Sequence, residues 1–491
     1  MRRLATAAAL LVVTSCGPAA DMPATRPPPE PTTTTPPGGD AGDPSGQSPW
    51  QVKDGESRRE VLVAELTLHN AGLAPEDRAA KYEAMRASPF AFFRGTAHLF
   101  FRDLADGTDR VRESSFYAPD AVTWIDGDMH TDNFGAFDDD RGALVYDLSD
   151  FDDAWVASYL YDVWRLATAV ALVADANRLD PDEGAADLDA LATAYVDRVG
   201  EVRGVDDELS AQIGEAEAYG RLDEFLRDVA SGHDRAEMLD DFTLEEGGER
   251  RFEVGSPELA GVTAEERAAL TDGIAAYRAG VAGPHRDDPE FFRVLDVARR
   301  LDAGIGSLGR ARYFALIAGE SGDPDDDRIL DIKSQGVPAL VPYLPADELG
   351  PLVERFPDDQ AGCRAAEAER ALVAHAEDRI GCLSALGASF SVRERSPFKD
   401  TLATDELDTG ERLSNLAEQW AWLLASAHAR ADRDFDASYL PDSFEDAAFA
   451  VLDGRGDEFA AEVRGFALAY AAQVATDHAL FVAALADGSL E

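Results

Sequence analysis

The chain has 491 residues, of which 45 are Lys or Arg and 95 are Asp or Glu, so its formal net charge at pH 7 is −50. This excess of negative charge argues against proteins that bind nucleic acid or anionic lipid through a broad basic surface. Hydrophobic residues make up 45% of the chain, which is typical of a folded globular protein rather than a disordered acidic tail.

The first sixteen residues have the pattern of a bacterial lipoprotein signal peptide. Two arginines precede an apolar run over residues 4–13, which is too short to span a bilayer. The following VTSC resembles a lipobox, which implies that Cys16 is lipidated; a plain signal peptide with an incidental cysteine is the alternative. Residues 17–50 are rich in Pro, Thr and Gly and predict an extended tether. We therefore expect an exported bacterial lipoprotein that meets the membrane only through its N-terminal lipid.

From about residue 55 the sequence is dominated by amphipathic helical patterns, interrupted by two regions with strand-like runs. The clearest helical patterns lie at 159–177, 187–202, 412–430 and 457–486, and the strand-like regions lie at 120–152 and 291–345. The second strand-like region predicts a small antiparallel sheet of hairpins. We therefore predict an α+β fold with a helical lobe over residues 51–290, a smaller β-containing lobe over 291–400, and C-terminal helices over 401–491 that pack on the helical lobe.

Two cysteines remain if Cys16 carries lipid. Cys363 and Cys382 can form a disulfide across a short loop in an oxidising compartment, or remain buried thiols. The sequence leaves both possibilities open.

Polar residues crowd at the ends of two short apolar strands in the first strand-like region. GDMHTDNFG contains Asp128, His130 and Asn133, and VYDLSDFDD contains Asp147 and Asp150. Phosphoryl transfer needs one carboxylate that orients or deprotonates the attacking hydroxyl, and an amide and a second carboxylate that hold Mg²⁺. Asp128, Asn133 and Asp147 supply that set.

Two other interpretations of this segment compete with the first. In a chain with 95 acidic residues, a cluster of aspartates is often a solvated turn. A DxH segment can also mark a two-metal phosphoesterase, but that chemistry needs further histidines, and the other seven are scattered along the chain.

Several ordered motifs together resemble one bacterial family. SPFAFFRG, GDMHTDNFG, VYDLSDFDDA and DVWRL are similar to the family of domain of unknown function 2252, over most of residues 55–435. Its GDxHxxN…D pattern is in turn similar to the catalytic loop of aminoglycoside and choline phosphotransferases, which have the protein-kinase-like fold. The resemblance implies a two-lobed fold with a mostly helical large lobe and a small antiparallel β lobe.

The resemblance also implies roles for individual residues. Asp128 corresponds to the catalytic base, Asn133 to a metal ligand and Asp147 to the main Mg²⁺ aspartate of kinases. Asp162 corresponds to the buried aspartate that braces the catalytic loop, and His130 to a loop histidine whose role is mainly positional.

A candidate for the phosphate-binding half of such a site stands late in the chain. Gly304, Gly306 and Gly309 form a G-x-G-x-x-G turn between two strand-like runs, which suits a kinase-type hairpin better than a Rossmann turn. Lys333 ends a later apolar strand and is one of only four lysines in the chain. In kinases the equivalent lysine grips the phosphates and pairs with a glutamate on a helix.

The helical stretch at 362–377 offers two partners for this lysine, Glu367 and Glu369, and the sequence does not choose between them. A solvent-facing lysine at a strand end is the alternative interpretation of Lys333. Since the glycine turn and the lysine follow the catalytic loop, the kinase order of elements would be circularly permuted. This hypothesis predicts that Lys333 lies near Asp147, within reach of one nucleotide.

The sequence therefore predicts a kinase-like phosphotransferase that uses Mg²⁺ and ATP, or another nucleoside triphosphate, on a hydroxyl acceptor that it does not identify. Asp150 would assist at the metal, and Arg94 would contact phosphate or pair with nearby aspartates. Nucleotidyl transfer on the same scaffold stays open. Because ATP is scarce outside the cytoplasm, the competing hypothesis is a tethered, non-catalytic pseudo-kinase that binds a ligand or an envelope partner.

Overall fold

The computed structural model describes residues 57–105, 110–301, 304–346, 348–350 and 352–490. The predicted signal peptide, the tether and the lipidation site Cys16 lie outside the described residues, which all belong to one compact unit.

The helices are numbered here in chain order. They are α1 (Arg58–His69), α2 (Pro75–Met85), α3 (Pro89–Arg94), α4 (Ala97–Leu104), α5 (Arg110–Glu113), α6 (Leu160–Ala176), α7 (Pro181–Val202), α8 (Arg221–Gly232), α9 (Arg235–Phe242), α10 (Ala264–Tyr277), α11 (Leu352–Arg355), α12 (Ala361–Leu372), α13 (Gly410–Arg430), α14 (Arg433–Asp436), α15 (Phe444–Leu452) and α16 (Gly456–Ala486).

The strands form antiparallel sheets. They are β1 (Val122–Ile125), β2 (Phe134–Asp138), β3 (Leu144–Leu148), β4 (Trp155–Ser158), β5 (Thr243–Glu246), β6 (Glu249–Phe252), β7 (Leu259–Gly261), β8 (Val294–Arg300), β9 (Arg312–Ile317), β10 (Arg328–Ser334), β11 (Gly381–Ala385) and β12 (Ala388–Glu394). The largest sheet has six strands in the order β11-β12-β10-β9-β8-β7, and β1-β4, β2-β3 and β5-β6 are separate pairs.

The four helices predicted from apolar periodicity are α6, α7, α13 and α16. The ends of α6, α13 and α16 lie within two residues of the predicted ends, whereas α7 begins six residues earlier. Asp180 caps α7 by accepting a hydrogen bond from the Asp182 backbone N–H, and Pro181 occupies the first helical position, where its fixed φ favours the start of a helix.

These helices form the core of a helical body. Among the described elements, α7 packs along α13, and α16 packs along α6 and α7, so that their apolar faces share one large cluster of buried side chains. By length and composition α16 could cross a membrane. Its Asp477, however, forms a buried ion pair with Arg58 of α1, as expected for the core helix of a folded protein.

The six-stranded sheet is the centre of a second lobe. One face packs on α10 and the other on α9, each through its own apolar cluster. Because the edge strand β7 and helix α10 belong to this lobe, it begins well before the predicted boundary at residue 291.

Helix α12 lies between the sheet and the helical body. It contacts β11 and β12, while its Ala368 and Leu372 are part of the core of the helical body. Cys363 of α12 and Cys382 of β11 form a disulfide with a Cα–Cα distance of 4.9 Å, which decides the question that the sequence left open.

Candidate functional site

The predicted catalytic loop follows strand β1 directly and is shaped by a glycine. Gly127 has φ +80°, and a Cβ atom there would lie 2.1 Å from the backbone oxygen of Asp153. Only glycine meets both conditions without strain. The Asp128 backbone N–H donates to Asp126 Oδ1 over 3.0 Å, which closes the turn that presents the Asp128 side chain.

Asp162 on α6 makes hydrogen bonds to the backbone of this loop. It is fully buried, and its two carboxylate oxygens accept the backbone N–H groups of Asp126 (2.7 Å) and Gly127 (3.0 Å). On its other side, Asp162 Oδ2 lies 3.3 Å from His428 Nε2, and His428 Nδ1 lies 2.7 Å from the Tyr195 hydroxyl. The loop is therefore supported by a buried chain of polar contacts that reaches across the helical body.

Asp128 is fixed by an arginine that the sequence analysis did not single out. Arg165, one turn after Asp162 on α6, donates to Asp128 Oδ1 from Nε over 2.8 Å and from its Nη2. Desolvation raises the pKa of Asp128 to about 7, although Arg165 opposes that shift, and Asp153 raises it further. A carboxyl group with that pKa can gain and lose a proton near neutral pH.

Asn133 lies at the end of a 3₁₀ turn, Thr131–Asn133. It lines a cleft, called the cleft below, together with Asp128, Asp150, Gly304, Gly306 and Arg310. Its Nδ2 donates to the backbone oxygen of Asp128 (3.0 Å) and to Asp126 Oδ1 (3.2 Å). These bonds use its donors and leave the amide oxygen available to a cation.

Lys333 lines an adjoining cleft on the side of the sheet, which shares Asp150 and Asp152 with the first. Its Nζ lies 3.2 Å from both carboxylate oxygens of Asp150 and 2.6 Å from Asp152 Oδ2. Burial favours a high pKa for Asp150, but Lys333 and Arg393 hold that pKa well below its ordinary value. Asp150 is therefore ionised at neutral pH.

Asp147, predicted as the main metal ligand and as the neighbour of Lys333, has a different position. Its side chain is buried, and it is not among the described residues that line the cleft. Burial raises the pKa of Asp147 to about 7, although the positive charge of Arg430 lowers it. The carboxylate that meets Lys333 is that of Asp150.

The glycine turn between β8 and β9 lies over Asp128, whereas the permutation hypothesis expected this turn near Asp147. Gly304 and Gly306 line the cleft, and a Cβ atom on Gly306 would lie 3.8 Å from Asp128 Oδ2. Gly309 has φ +89° and packs against Leu73, just before α2. The first two glycines therefore face the cleft, and the third anchors the turn to the helical body.

Of the two glutamates proposed as partners of Lys333, the structure brings only Glu369 to the adjoining cleft. Glu369 lines that cleft with Lys333, and its Oε1 accepts a hydrogen bond from Arg393 over 3.1 Å. Glu367 instead accepts hydrogen bonds from Arg355 (2.6 Å) and the Tyr439 hydroxyl (3.3 Å).

The two remaining predicted residues line the cleft beside the catalytic loop. Arg94 forms an ion pair of 2.7 Å with Asp132. The imidazole of His130 is buried, and its Nδ1 has no hydrogen-bond partner in the part of the chain that the structure describes. Burial lowers the pKa of His130 well below its ordinary value, so the ring is neutral. The Asn133 backbone N–H donates to the His130 backbone oxygen over 3.0 Å, and the positional role of the His130 side chain stays a prediction.

Two basic residues in or near the cleft were not predicted from the sequence. Arg310 follows the glycine turn, lines the cleft and lies 3.9 Å from Asp152. Lys81 on α2 is 3% exposed and makes no hydrogen bond or ion pair with the described residues. Burial and Arg310 lower the pKa of Lys81 to about 8, while Asp153 and Asp128 oppose that shift. The scarcity of lysine in this acidic chain was the signal that could have drawn attention to Lys81.

Replacing Lys81 with methionine is expected to raise the free energy of unfolding by about 1–3 kcal/mol at pH 7, because it removes a buried charge without a direct partner. The pKa of Lys81 is about 8 in the folded chain against an ordinary value of 10.5. The cost of this charge is therefore fully present below pH 8 and is relieved as the pH rises towards 10.5. Urea unfolding at pH 7 and pH 9.5 measures both effects.

Arg86→Met is the matched control, since Arg86 lies at the end of the same helix with a side chain that is 55% exposed. It should change stability by less than about 0.5 kcal/mol. A lower stability of Lys81→Met than of the wild type at pH 7 would show that Lys81 has a structural partner.

Comparison with curated proteins and with solved structures returns no match. A family model described as "Uncharacterized protein conserved in bacteria (DUF2252)" matches residues 73–484. The matched range contains the catalytic loop, the glycine turn, Lys333 and α12, and therefore the whole cleft. The chain belongs to the DUF2252 family of bacterial proteins.

Proposed function

We propose that this protein is a kinase-like phosphotransferase that moves a phosphoryl group from a nucleoside triphosphate to a hydroxyl acceptor with the help of Mg²⁺. The observation that carries the proposal is that Asp128, Asn133 and Asp150 line one cleft under a glycine turn, and that Lys333, in the adjoining cleft, contacts Asp150. These residues come from distant parts of the chain, and they are the types that phosphoryl transfer uses.

The order of elements in the sheet lobe supports the kinase-like part of the proposal. A glycine turn joins β8 and β9, the lysine stands on the next strand, β10, and the next long helix, α12, carries Glu369. Kinases place their glycine-rich loop, lysine and glutamate in this order. Because the catalytic loop precedes these elements here, we propose that the fold is circularly permuted.

The cleft offers oxygen atoms suited to Mg²⁺. The hydrogen bonds of Asn133 are donated by its Nδ2, so its amide oxygen can accept a cation. Asp150 is ionised, and Asp126 Oδ2 is buried with no hydrogen-bond partner among the described residues. Mg²⁺ prefers such hard oxygen ligands, so Asn133 and Asp150 would hold it. When bound, the ion would neutralise charge on the phosphates.

The other residues of the cleft would position the reacting groups. Arg165 occupies one oxygen of Asp128 and leaves Oδ2 facing the glycine turn, where it can accept the proton of an acceptor hydroxyl. Lys333 and Arg310 would hold the negative charge of the triphosphate, which an otherwise acidic surface would repel.

One contact favours the competing hypothesis of a non-catalytic pseudo-kinase. Active kinases require an ion pair between the strand lysine and the helix glutamate. Here Lys333 contacts Asp150 and Asp152, and Arg393 engages Glu369. A catalytic state therefore requires Lys333 to exchange these aspartates for phosphate and Glu369.

Thermal unfolding of the full chain with and without ATP and Mg²⁺ tests the proposal. Ligand at 100 times its Kd should stabilise the wild type by about 2.7 kcal/mol. Asp150→Asn and Lys333→Met should remove most of this stabilisation, whereas Asp147→Asn should retain it because Asp147 lies outside the cleft. Asp128→Asn should bind the nucleotide but abolish phosphoryl transfer.

The absence of any shift across nucleoside triphosphates and divalent metals would favour the pseudo-kinase hypothesis. Loss of the shift in Asp147→Asn, with retention in Asp150→Asn, would restore Asp147 as the metal ligand.

We further propose that the protein is an exported lipoprotein anchored through Cys16. The Cys363–Cys382 disulfide supports this location, because disulfides persist in oxidising compartments outside the cytoplasm. At that location the phosphate donor must reach the protein outside the cytoplasm.

A further inference from the structure

A group of three carboxylates lies outside the cleft. One carboxylate oxygen from each of Asp206, Glu208 and Asp434 lies within 4.8 Å of the other two. Asp206 and Glu208 belong to the segment after α7, and Asp434 belongs to the short helix α14, so two distant parts of the chain supply the group. None of the three lines the cleft.

Glu208 distinguishes this group from an ordinary acidic surface. The residue is 2% exposed, and its Oε2 makes no hydrogen bond with any of the described residues. A buried carboxylate next to other carboxylates is costly unless a proton or a bound cation neutralises it, and a cation can serve all three carboxylates at once.

The arginine beside the group does not provide that cation at close range. Arg430 directs its donors to the backbone oxygens of Glu208, Leu372 and Ala211. It therefore shapes the segment that carries Glu208 and forms no ion pair with the Glu208 carboxylate within the described residues. The nearest cation at the group is Arg433, whose Nε lies 3.9 Å from Asp434 Oδ1.

We propose that Asp206, Glu208 and Asp434 bind a calcium ion at a site that is separate from the cleft and independent of the proposed function. All the ligands are carboxylate oxygens, which Ca²⁺ prefers, and Ca²⁺ accepts irregular geometry and water as further ligands. Mg²⁺ fits less well, because it requires near-octahedral geometry and gives up its waters reluctantly.

Occupancy of this site would stabilise one edge of the β2–β3 hairpin. The segment that carries Glu208 continues to Ile213, whose backbone oxygen accepts the Tyr146 N–H of β3 over 2.8 Å. Calcium would fix the segment between this bond and α14. The site would therefore be structural, and its occupancy would be read as stability.

Calcium titration of the metal-free full chain, followed by calorimetry and thermal unfolding, tests the proposal. Ca²⁺ should raise the Tm of the wild type and also of Asp150→Asn, in which the cleft cannot account for the binding. Glu208→Gln should weaken binding by about tenfold or more, since even residues that only support metal ligands cost that much. Its metal-free Tm should equal or exceed that of the wild type, because the variant removes a buried charge.

Two further variants complete the design. Glu290→Gln removes an 80% exposed carboxylate elsewhere and should bind Ca²⁺ like the wild type. Asp434→Asn changes a more exposed ligand and should weaken binding without a loss of folding. The proposal is overturned if Ca²⁺ does not stabilise Asp150→Asn, or if Glu208→Gln and Asp434→Asn both bind Ca²⁺ with the wild-type Kd. Because neither result depends on nucleotide binding, a failure of the calcium proposal can be distinguished from a failure of the proposed function.

Discussion

Replacing Asp162 with alanine is expected to lower the free energy of unfolding by about 3–5 kcal/mol and to abolish stabilisation by ATP and Mg²⁺. The carboxylate is fully buried and accepts the backbone N–H groups of Asp126 and Gly127. Its removal leaves both donors buried without partners, at about 1–3 kcal/mol each. Because the same donors set the path of the catalytic loop, Asp128 and Asn133 would lose their common orientation. Urea unfolding and nucleotide titration measure the two effects.

Two variants separate support of the loop from general damage to the core. Asp162→Asn preserves the shape of the side chain but offers one acceptor oxygen, so it should lose roughly half as much stability. Tyr195→Phe removes only the hydroxyl at the far end of the polar chain, and should cost about 1 kcal/mol. Nucleotide binding that survives in Asp162→Ala with its wild-type Kd would contradict the bracing role.

The catalytic loop could be predicted from the sequence because its parts are adjacent in the chain. Asp128 and Asn133 are five residues apart, so one turn brings them together. The choice between Asp147 and Asp150 depended on where the strand ends. Asp147 lies within β3, paired with Gly135, and does not line the cleft, whereas Asp150 lies beyond the strand end. Apolar alternation locates a strand but does not fix its last residue.

The residues that were missed come from other elements. Arg165 stands three residues after Asp162 on a predicted helix, so both side chains lie on one face, and that spacing was a usable signal. Lys81 comes near Arg310 and the cleft only through the packing of α2 against the glycine turn. Local sequence cannot predict that contact, because it depends on how the two lobes are placed.

The boundary of the sheet lobe was missed for a different reason. Strands β5, β6 and β7 have only three or four residues each, and β5 and β6 consist mostly of charged and polar residues, so none shows the apolar alternation that identifies a strand. These short segments become strands because they pair with neighbouring strands, which the sequence pattern does not reveal. By contrast, β8, β9 and β10 have six or seven residues with apolar runs, and the sequence predicts them as hairpins.

Replacing Arg58 with methionine is expected to cost about 3–5 kcal/mol of unfolding free energy at neutral pH. Arg58 on α1 is buried and donates to Asp103 of α4 over 2.6 Å from both terminal nitrogens. It also donates to Asp477 of α16 over 2.8 Å from Nε. The substitution leaves two buried carboxylates facing each other where three helices meet.

The loss in Arg58→Met should depend on pH with a defined sign. Burial already raises the pKa of Asp103 in the wild type although Arg58 opposes it, and removal of Arg58 raises that pKa further. A carboxyl group whose folded pKa exceeds its unfolded value contributes stability below the unfolded pKa and loses it as the pH rises through the folded pKa. The deficit relative to the wild type should therefore be smallest near pH 4.5 and largest at pH 8.

Adding Asp103→Asn to Arg58→Met should recover part of the loss at pH 8, because it removes one of the unpaired charges. A deficit that does not change between pH 4.5 and pH 8 would mean that Arg58 stabilises this junction through packing rather than charge.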